Sequence, residues 1–345
     1  MSSVLRIGLG SRLFGGDRVT RLRRWSAHVE RVFIPLLALS VLLALLVPGP
    51  LSRAHGSVLP LFAAMMLVVS LTFHAGDVGE AVRDPVGTVV ATLLSLVPLA
   101  LLAQSLSPAL LGLPDRPVIR DLGFGLVLYG ALPTDISAPL FTALSRGNTA
   151  LAAIANGFIT GLSPFVLPVW FLTLTGLELR VPTLSLILEL VLVVLVPSLV
   201  GVGLRTRVQA LERLDVTFEA VASLIYLALV AVVVAQEHAR LLSLGGSLMW
   251  RVLGLVTAMN LLGYGLGALA WSVSRRAPRD LPAYVFVIGE REFSVAVAVV
   301  YAGGLSPTIL VPATLAAVVQ AVTAALLARI FRAHAVRHAR LSALP

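Results

Sequence analysis

A stretch that is otherwise apolar from Ala283 to Ala302 carries three consecutive charges, Glu290, Arg291 and Glu292. An ionisable side chain at the centre of a bilayer costs roughly 2.5 to 3.5 kcal/mol on insertion scales, so three in a row require partners or a function. An earlier apolar stretch is broken by Pro133-Thr134-Asp135, with Pro139 shortly after. Each proline removes a backbone donor and clashes with the preceding turn, so regular helix is not expected between them. Lipid offers no partner for the backbone groups released there; solute, ion, water or other protein groups must supply one. Two interrupted helices meeting inside a membrane are the usual place for a transporter to hold its cargo.

The candidate site residues follow from the two breaks. The first contributes Pro133, Thr134, Asp135, Ile136 and Ser137; the second contributes Gly289, Glu290, Arg291, Glu292 and Ser294. The competing reading of the first break is a proline kink satisfied by Thr134 and Ser137, with Asp135 in a buried ion pair. Neighbouring helical residues point about 100° apart, so three successive charges cannot share a face. Either the second helix is broken or protein surrounds it. Arg291 stays charged and needs a partner, either Asp135 across the two breaks or its own neighbours. Glu290 or Glu292 is a candidate for proton coupling, against a static salt-bridge cluster that only fixes packing. Asn156, Thr160, Ser163 and Gln320 are weaker candidates, because polar residues in spanning helices mostly bond to neighbouring helices. Glu189 reads as an interface residue, and His55 and His74 as solvated loop residues. No HExxH, GxSxG or phosphate-cradling loop occurs, so an enzyme lacks its chemical parts. Neither a cofactor nor a metal site is indicated.

The elements that must position these residues are membrane helices. The chain is 58 % hydrophobic and 12 % charged, with a mean hydropathy of +0.97, far from a soluble domain. With no cysteine there is no disulfide or thiolate site. The net charge of +9 comes from 26 basic residues, all arginine. They concentrate in loops and termini, where they set topology and do not form a nucleic-acid face. A spanning helix needs about 20 residues, and ten apolar segments are predicted: 32–47, 58–73, 86–106, 121–143, 149–175, 183–204, 217–236, 248–271, 282–302 and 308–331. Residues 1–31 carry Arg6, Arg12, Arg18, Arg21, Arg23, Arg24 and Arg31 without a long apolar run. They read as a basic cytoplasmic arm, not a signal peptide. With the amino terminus inside, nineteen arginines fall on the cytoplasmic side and six opposite, supporting an even number of spans and both termini inside.

An internal repeat matches residues 149–156, TALAAIAN, to residues 313–320, ATLAAVVQ, with Asn156 becoming Gln320. Each copy opens the last segment of a five-segment half. An odd number of spans per half forces the two halves into opposite orientations. The expected organisation is a basic arm (1–31), a first five-helix repeat (32–175), a second (183–331) and a basic cytoplasmic tail (332–345).

Segments four and five resemble the bile acid:sodium symporter family. The likeness rests on Pro133 in the break, the loop Leu144-Ser145-Arg146-Gly147-Asn148, then Ala150-Leu151 and Leu162-Ser163-Pro164. Segment nine, with Gly289 opening a polar break, resembles that family's second crossing region. The resemblance implies ten helices in two inverted halves. Segments one, two, six and seven would form a panel, and a core domain would have interrupted helices four and nine crossing. The sequence also departs from the family pattern. Where sodium-using members place hydroxyl, amide and carboxylate ligands, this chain has Ala138, Pro139, Ala152, Val287 and Arg291; Asn156 alone keeps a polar group. The arsenite-efflux branch is thought to depend on a cysteine in segment four, which is absent here.

The expected protein is an all-α integral membrane secondary transporter in a bacterial inner (plasma) membrane. It moves a small organic, anionic solute by alternating access, without the usual sodium sites. Its partners are the solute and the lipid bilayer, not nucleic acid. The alternatives are a proton-coupled exporter and a non-transporting sensor or scaffold that keeps the fold.

Overall fold

Almost every described residue lies in a helix, as apolar runs without water must if their backbone groups are to be satisfied within the segment. The computed structural model describes residues 21–22, 24–26, 28–29, 32–72, 85–111, 116–135, 137–175, 183–243 and 245–341. Most of the predicted basic arm, Ile136 and His74 lie outside the described residues, as do the side chains of His55 and Glu189.

Prolines punctuate the helices. Pro48, Pro85, Pro98, Pro117, Pro139, Pro197 and Pro282 sit in first turns, where a missing donor costs nothing. The chain opens with α1 (Phe33–Leu46), α2 (Pro48–Ser52) and α3 (Val58–Ser70). Helices α4 (Pro85–Leu96) and α5 (Pro98–Leu111) follow on either side of Val97, immediately before Pro98. After α6 (Pro117–Ala131) and α7 (Ala138–Leu144) comes α8 (Thr149–Thr175), which stays helical through Pro164 and Pro168. Helix α9 (Thr183–Leu190) passes through a π-helical turn (Val191–Leu195) into α10 (Val196–Arg207). The remaining helices are α11 (Asp215–Ser243), α12 (Gly246–Val273), α13 (Leu281–Gly289), α14 (Phe293–Ala302) and α15 (Leu310–Leu341). The last carries helix well into the predicted tail. Buried Arg205, in the last turn of α10, grips Asp215 at the start of α11 through two contacts of 2.6 and 2.8 Å.

Among the described residues five stretches are long and apolar enough to cross a membrane: Val89–Ser107, Thr149–Pro168, Ala210–Gln236, Gly246–Val273 and Pro307–Arg337. The chain is therefore an all-helical membrane protein.

The apolar core falls into two clusters. One takes α6 and α14, packed with α1, α3, α5 and α11. The other takes α7 and α13, packed with α4 and parts of α8 and α12. The two halves of each broken helix thus belong to different clusters, and the polar break lies between them. Every residue from Pro282 to Val300 is buried, so the charges of the second break face protein, not lipid.

Gly130 of α6 packs against the backbone of α5, where an added Cβ would lie 2.6 Å from both Ala100 N and Leu99 C. Backbone atoms cannot swing aside, and overpacking costs about 1–3 kcal/mol. Gly130→Ala is expected to lower the melting temperature, whereas Gly161→Ala, with nothing within 4 Å of its new Cβ, should not. Equal melting temperatures for the two variants would refute the close approach.

Candidate functional site

Helix α6 stops at Ala131 because Leu132 precedes a proline, which pushes it out of the helical region to φ −59°, ψ 147°. The second break has no proline. Gly289 ends α13 against the ring of Tyr264, where a Cβ would lie 2.2 Å from a ring carbon, and Glu290 turns extended at φ −86°, ψ 139°. The two extended pieces then pair antiparallel, Thr134 opposite Arg291. Asp135 N donates to Glu290 O at 3.3 Å, and Glu292 N donates to Pro133 O at 2.9 Å. Among the described residues this is the sole strand-like pairing.

Several of the carbonyls released by the breaks accept from side chains. Thr134 Oγ1 donates to Val287 O (2.6 Å), Asn260 Nδ2 to Gly289 O (3.3 Å) and Asn156 Nδ2 to Asp135 O (3.2 Å). Gln320 Nε2 donates to Arg291 O (2.8 Å), and Arg291 Nη1 to Leu132 O (3.0 Å). At membrane depth this is what keeps an irregular backbone affordable.

The starts of α7 and α14 are built alike. Asp135 Oδ1 accepts from Ser137 N at 2.7 Å and from Ser137 Oγ at 2.5 Å. Glu292 Oε1 accepts from Ser294 N at 3.3 Å and from Ser294 Oγ. Glu292 is the N-cap of α14, and Asp135 holds Ser137, the residue just ahead of α7; free amides and the dipole at a half-helix start favour negative charge. Pro133, Thr134, Asp135 and Ser137 thus correspond to Glu290, Arg291, Glu292 and Ser294 about a local pseudo-two-fold. Glu290 and Arg291 have only Pro133 and Thr134 as counterparts. They are the asymmetric feature of the crossing.

Gln320, from α15, links the breaks: Nε2 also donates to Asp135 Oδ2 at 3.1 Å, while Oε1 accepts from Arg291 N at 3.1 Å. Asp135 and Arg291 therefore meet through an amide. Among the described residues no ion pair joins Arg291 to Asp135 or Glu290. Besides Leu132 O, Nη1 reaches Ser95 Oγ of α4 at 2.7 Å. Among the described residues the buried Nε and Nη2 have no hydrogen-bond partner. Tyr264 of α12 donates to Glu290 Oε1, and among the described residues Glu290 Oε2 has no partner. The Tyr264 hydroxyl lies 3.1 Å from Thr323 Oγ1, which donates to Asn260 Oδ1 at 2.7 Å.

Of the candidates named from sequence, Pro133, Thr134, Asp135, Ser137, Asn156, Gly289, Glu290, Arg291, Glu292, Ser294 and Gln320 meet at this crossing. Thr160 only props Asn156 Oδ1 at 3.0 Å, and Ser163 bonds back to Thr160 O. Sequence reasoning missed Ser95, Asn260, Tyr264 and Thr323. The available signal was Asn260 and Tyr264 four apart, on one face of an otherwise apolar helix.

The Leu144–Asn148 loop turns through Arg146 at φ 59°. Asn148 Oδ1 caps α8 by accepting from Leu151 N at 3.2 Å, and Nδ2 holds Asp280 Oδ1, just ahead of α13, at 2.9 Å. This sequence was the strongest point of the family resemblance, and the comparison with known proteins agrees: the model of the Sodium Bile acid symporter family matches residues 59–244. The chain belongs to that family. The match takes in the first break and all of α8. Among curated proteins, it is 27 % identical over 207 residues to the "Uncharacterized sodium-dependent transporter YocS" of Bacillus subtilis (strain 168), covering 59 % of this chain and 61 % of that one. It is 25 % identical over 265 residues to the "Uncharacterized protein YbaS" of the same organism, covering 76 % of this chain and 84 % of the relative.

Proposed function

We propose that this family member is a secondary active transporter of a small organic anion, working by alternating access about the crossing of the two breaks. One observation carries the anionic reading. Arg291 spends Nη1 on Ser95 and Leu132 and leaves the Nε–Nη2 edge, fully buried, without a protein partner. That edge is the fork that binds a carboxylate through two parallel hydrogen bonds, and a buried donor without a partner calls for one. The carboxylates of Asp135 and Glu292 are engaged by their own half-helices and do not compete for it.

The architecture behind this reading is ten transmembrane helices in two inverted five-helix repeats, in the inner (plasma) membrane with both termini cytoplasmic. The local pseudo-two-fold at the crossing and the matching roles of Asn156 and Gln320, each an amide from the helix after a break, support it.

Sodium, which the family name implies as cargo, does not fit the residues present. Ala138, Ala152 and Val287 are buried and offer no side-chain oxygen. The Leu132 carbonyl, a natural cation ligand at a helix end, is held by a guanidinium. A fixed positive charge there opposes a second cation. The test is a thermal-stabilisation screen of small carboxylates and sulfonates, followed by uptake of the best stabiliser into proteoliposomes. Uptake is expected to continue unchanged when potassium or choline replaces sodium. Uptake that stops in sodium-free buffer would overturn the sodium-independent reading, and failure of every organic anion to stabilise the protein would overturn the anionic one.

A further inference from the structure

We infer that Glu290 is a proton-binding carboxyl that takes up its proton at Oε2 when an anion occupies the Arg291 edge, making the transport proton-linked. This rests on the transport reading above and adds its coupling ion.

The geometry separates Glu290 from the other two acids of the crossing. Asp135 is held by Ser137 and Gln320, and Glu292 caps α14. Both have their place in the pseudo-symmetric pair of half-helix starts. Glu290 caps nothing. Its backbone only continues the end of α13, donating to Phe286 O at 2.9 Å. Its carboxyl is buried, takes one hydrogen bond from Tyr264 at Oε1, and presents Oε2 to no protein donor. A buried carboxylate satisfied at one oxygen is costly, and a proton on the other oxygen removes the charge.

The charged and titratable groups facing Glu290 come from every element around it. Tyr264 approaches from α12 and Tyr129 from α6, while Arg291 is its chain neighbour. Asp135 lies within electrostatic reach from the first break, and Tyr226 of α11 feels Asp135, Glu290 and Glu292 together. Arg291 is the single cation among three acids. When a solute carboxylate takes the Arg291 edge it brings a further negative charge into the buried crossing, and Glu290 Oε2 accepts a proton from the aqueous side that is open. One anion and one proton then cross together. When the anion leaves, the proton returns to water. Tyr264 orients Oε1 through its hydroxyl, supported by the Thr323–Asn260 chain.

The test uses the full chain in lipid nanodiscs and does not need the solute. Infrared difference spectra across a pH titration should show, apart from the bands of the exposed acids, a high-wavenumber C=O band of a buried carboxyl that titrates in the wild type. It should be lost in Glu290→Gln and kept in Glu292→Gln. Tyr264→Phe, which keeps the acid, should shift the midpoint of the band without removing it. Persistence of the band in Glu290→Gln, or no titrating band in the wild type, would overturn the assignment. Because the chain has no cysteine, a single Thr160→Cys beside Asn156 reports access to the crossing against zero background. Its maleimide labelling rate, divided at each pH by that of the same variant unfolded in SDS to remove the thiol's own ionisation, should change several-fold with pH, and the change should vanish when Glu290→Gln is added. A pH-independent ratio would overturn the coupling while leaving the transport reading to the uptake assay. Anion uptake unaffected by an imposed pH gradient would likewise overturn the coupling alone.

Discussion

Arg291→Ala should lower the stability of the protein by about 3–5 kcal/mol and abolish stabilisation by any organic anion. Losing its hydrogen bonds to Ser95 Oγ and Leu132 O would not suffice, since side-chain hydrogen bonds between membrane helices average only about 0.6 kcal/mol. The difference is charge. Arg291 is the buried cation beside Glu290, and its removal leaves that acid without a neighbouring positive charge and an unmet carbonyl at the end of α6. Arg291→Lys keeps the charge but replaces the planar fork with a point charge. It should recover much of the melting temperature while still failing to bind the anion. Thermal unfolding in detergent, with and without the anion chosen by screening, reads both effects. An Arg291→Ala variant that melts like the wild type would show that the guanidinium does not neutralise the crossing.

The two breaks were legible in the sequence because each violates a strong rule. Prolines cannot sit inside a helix without a lost donor, and three charges cannot sit in an apolar run without partners. The half-helix caps were legible in principle as well. Asp135-Ile136-Ser137 and Glu292-Phe293-Ser294 share an acid followed two residues later by serine, the spacing at which both acids accept from Ser N. Sequence alone groups Glu292 with Glu290 as candidate proton carriers; of the two, Glu292 is the one that accepts from a backbone N–H at a half-helix start. Most of the surrounding side chains were not legible. Ser95, which bonds Arg291, and Tyr264, Asn260 and Thr323, which serve Glu290 and the Gly289 carbonyl, are scattered polar residues in largely apolar helices. Whether such a residue faces lipid, a neighbour or the crossing depends on helix rotation, which a broad apolar pattern does not encode. The same holds for Gln320. Its pairing with Asn156 in the internal repeat was visible, but its position between Asp135 and Arg291 required the packing of α15 against both breaks.

That position makes a sharp prediction about how the halves communicate. The Gln320 amide binds Asp135 Oδ2 and Arg291 O through Nε2 and Arg291 N through Oε1. Asp135→Asn, Arg291→Gln and Gln320→Leu should each destabilise the protein. The cycles Asp135–Gln320 and Arg291–Gln320 should each show a coupling of about 0.5–3 kcal/mol, the range for residues sharing a network. The informative cycle is Asp135–Arg291. Without a direct ion pair, most of its coupling has to pass through the amide, whose orientation is fixed only while both neighbours hold it. In a Gln320→Leu background that coupling should fall close to zero. A direct charge–charge attraction would behave oppositely, because a leucine in place of the amide removes a polar neighbour and lowers the local dielectric. Melting curves for the eight variants of the triple cycle decide between them. An Asp135–Arg291 coupling that survives or grows when Gln320 is leucine would mean that the acid and the guanidinium act on each other directly, and Gln320 would be a bystander.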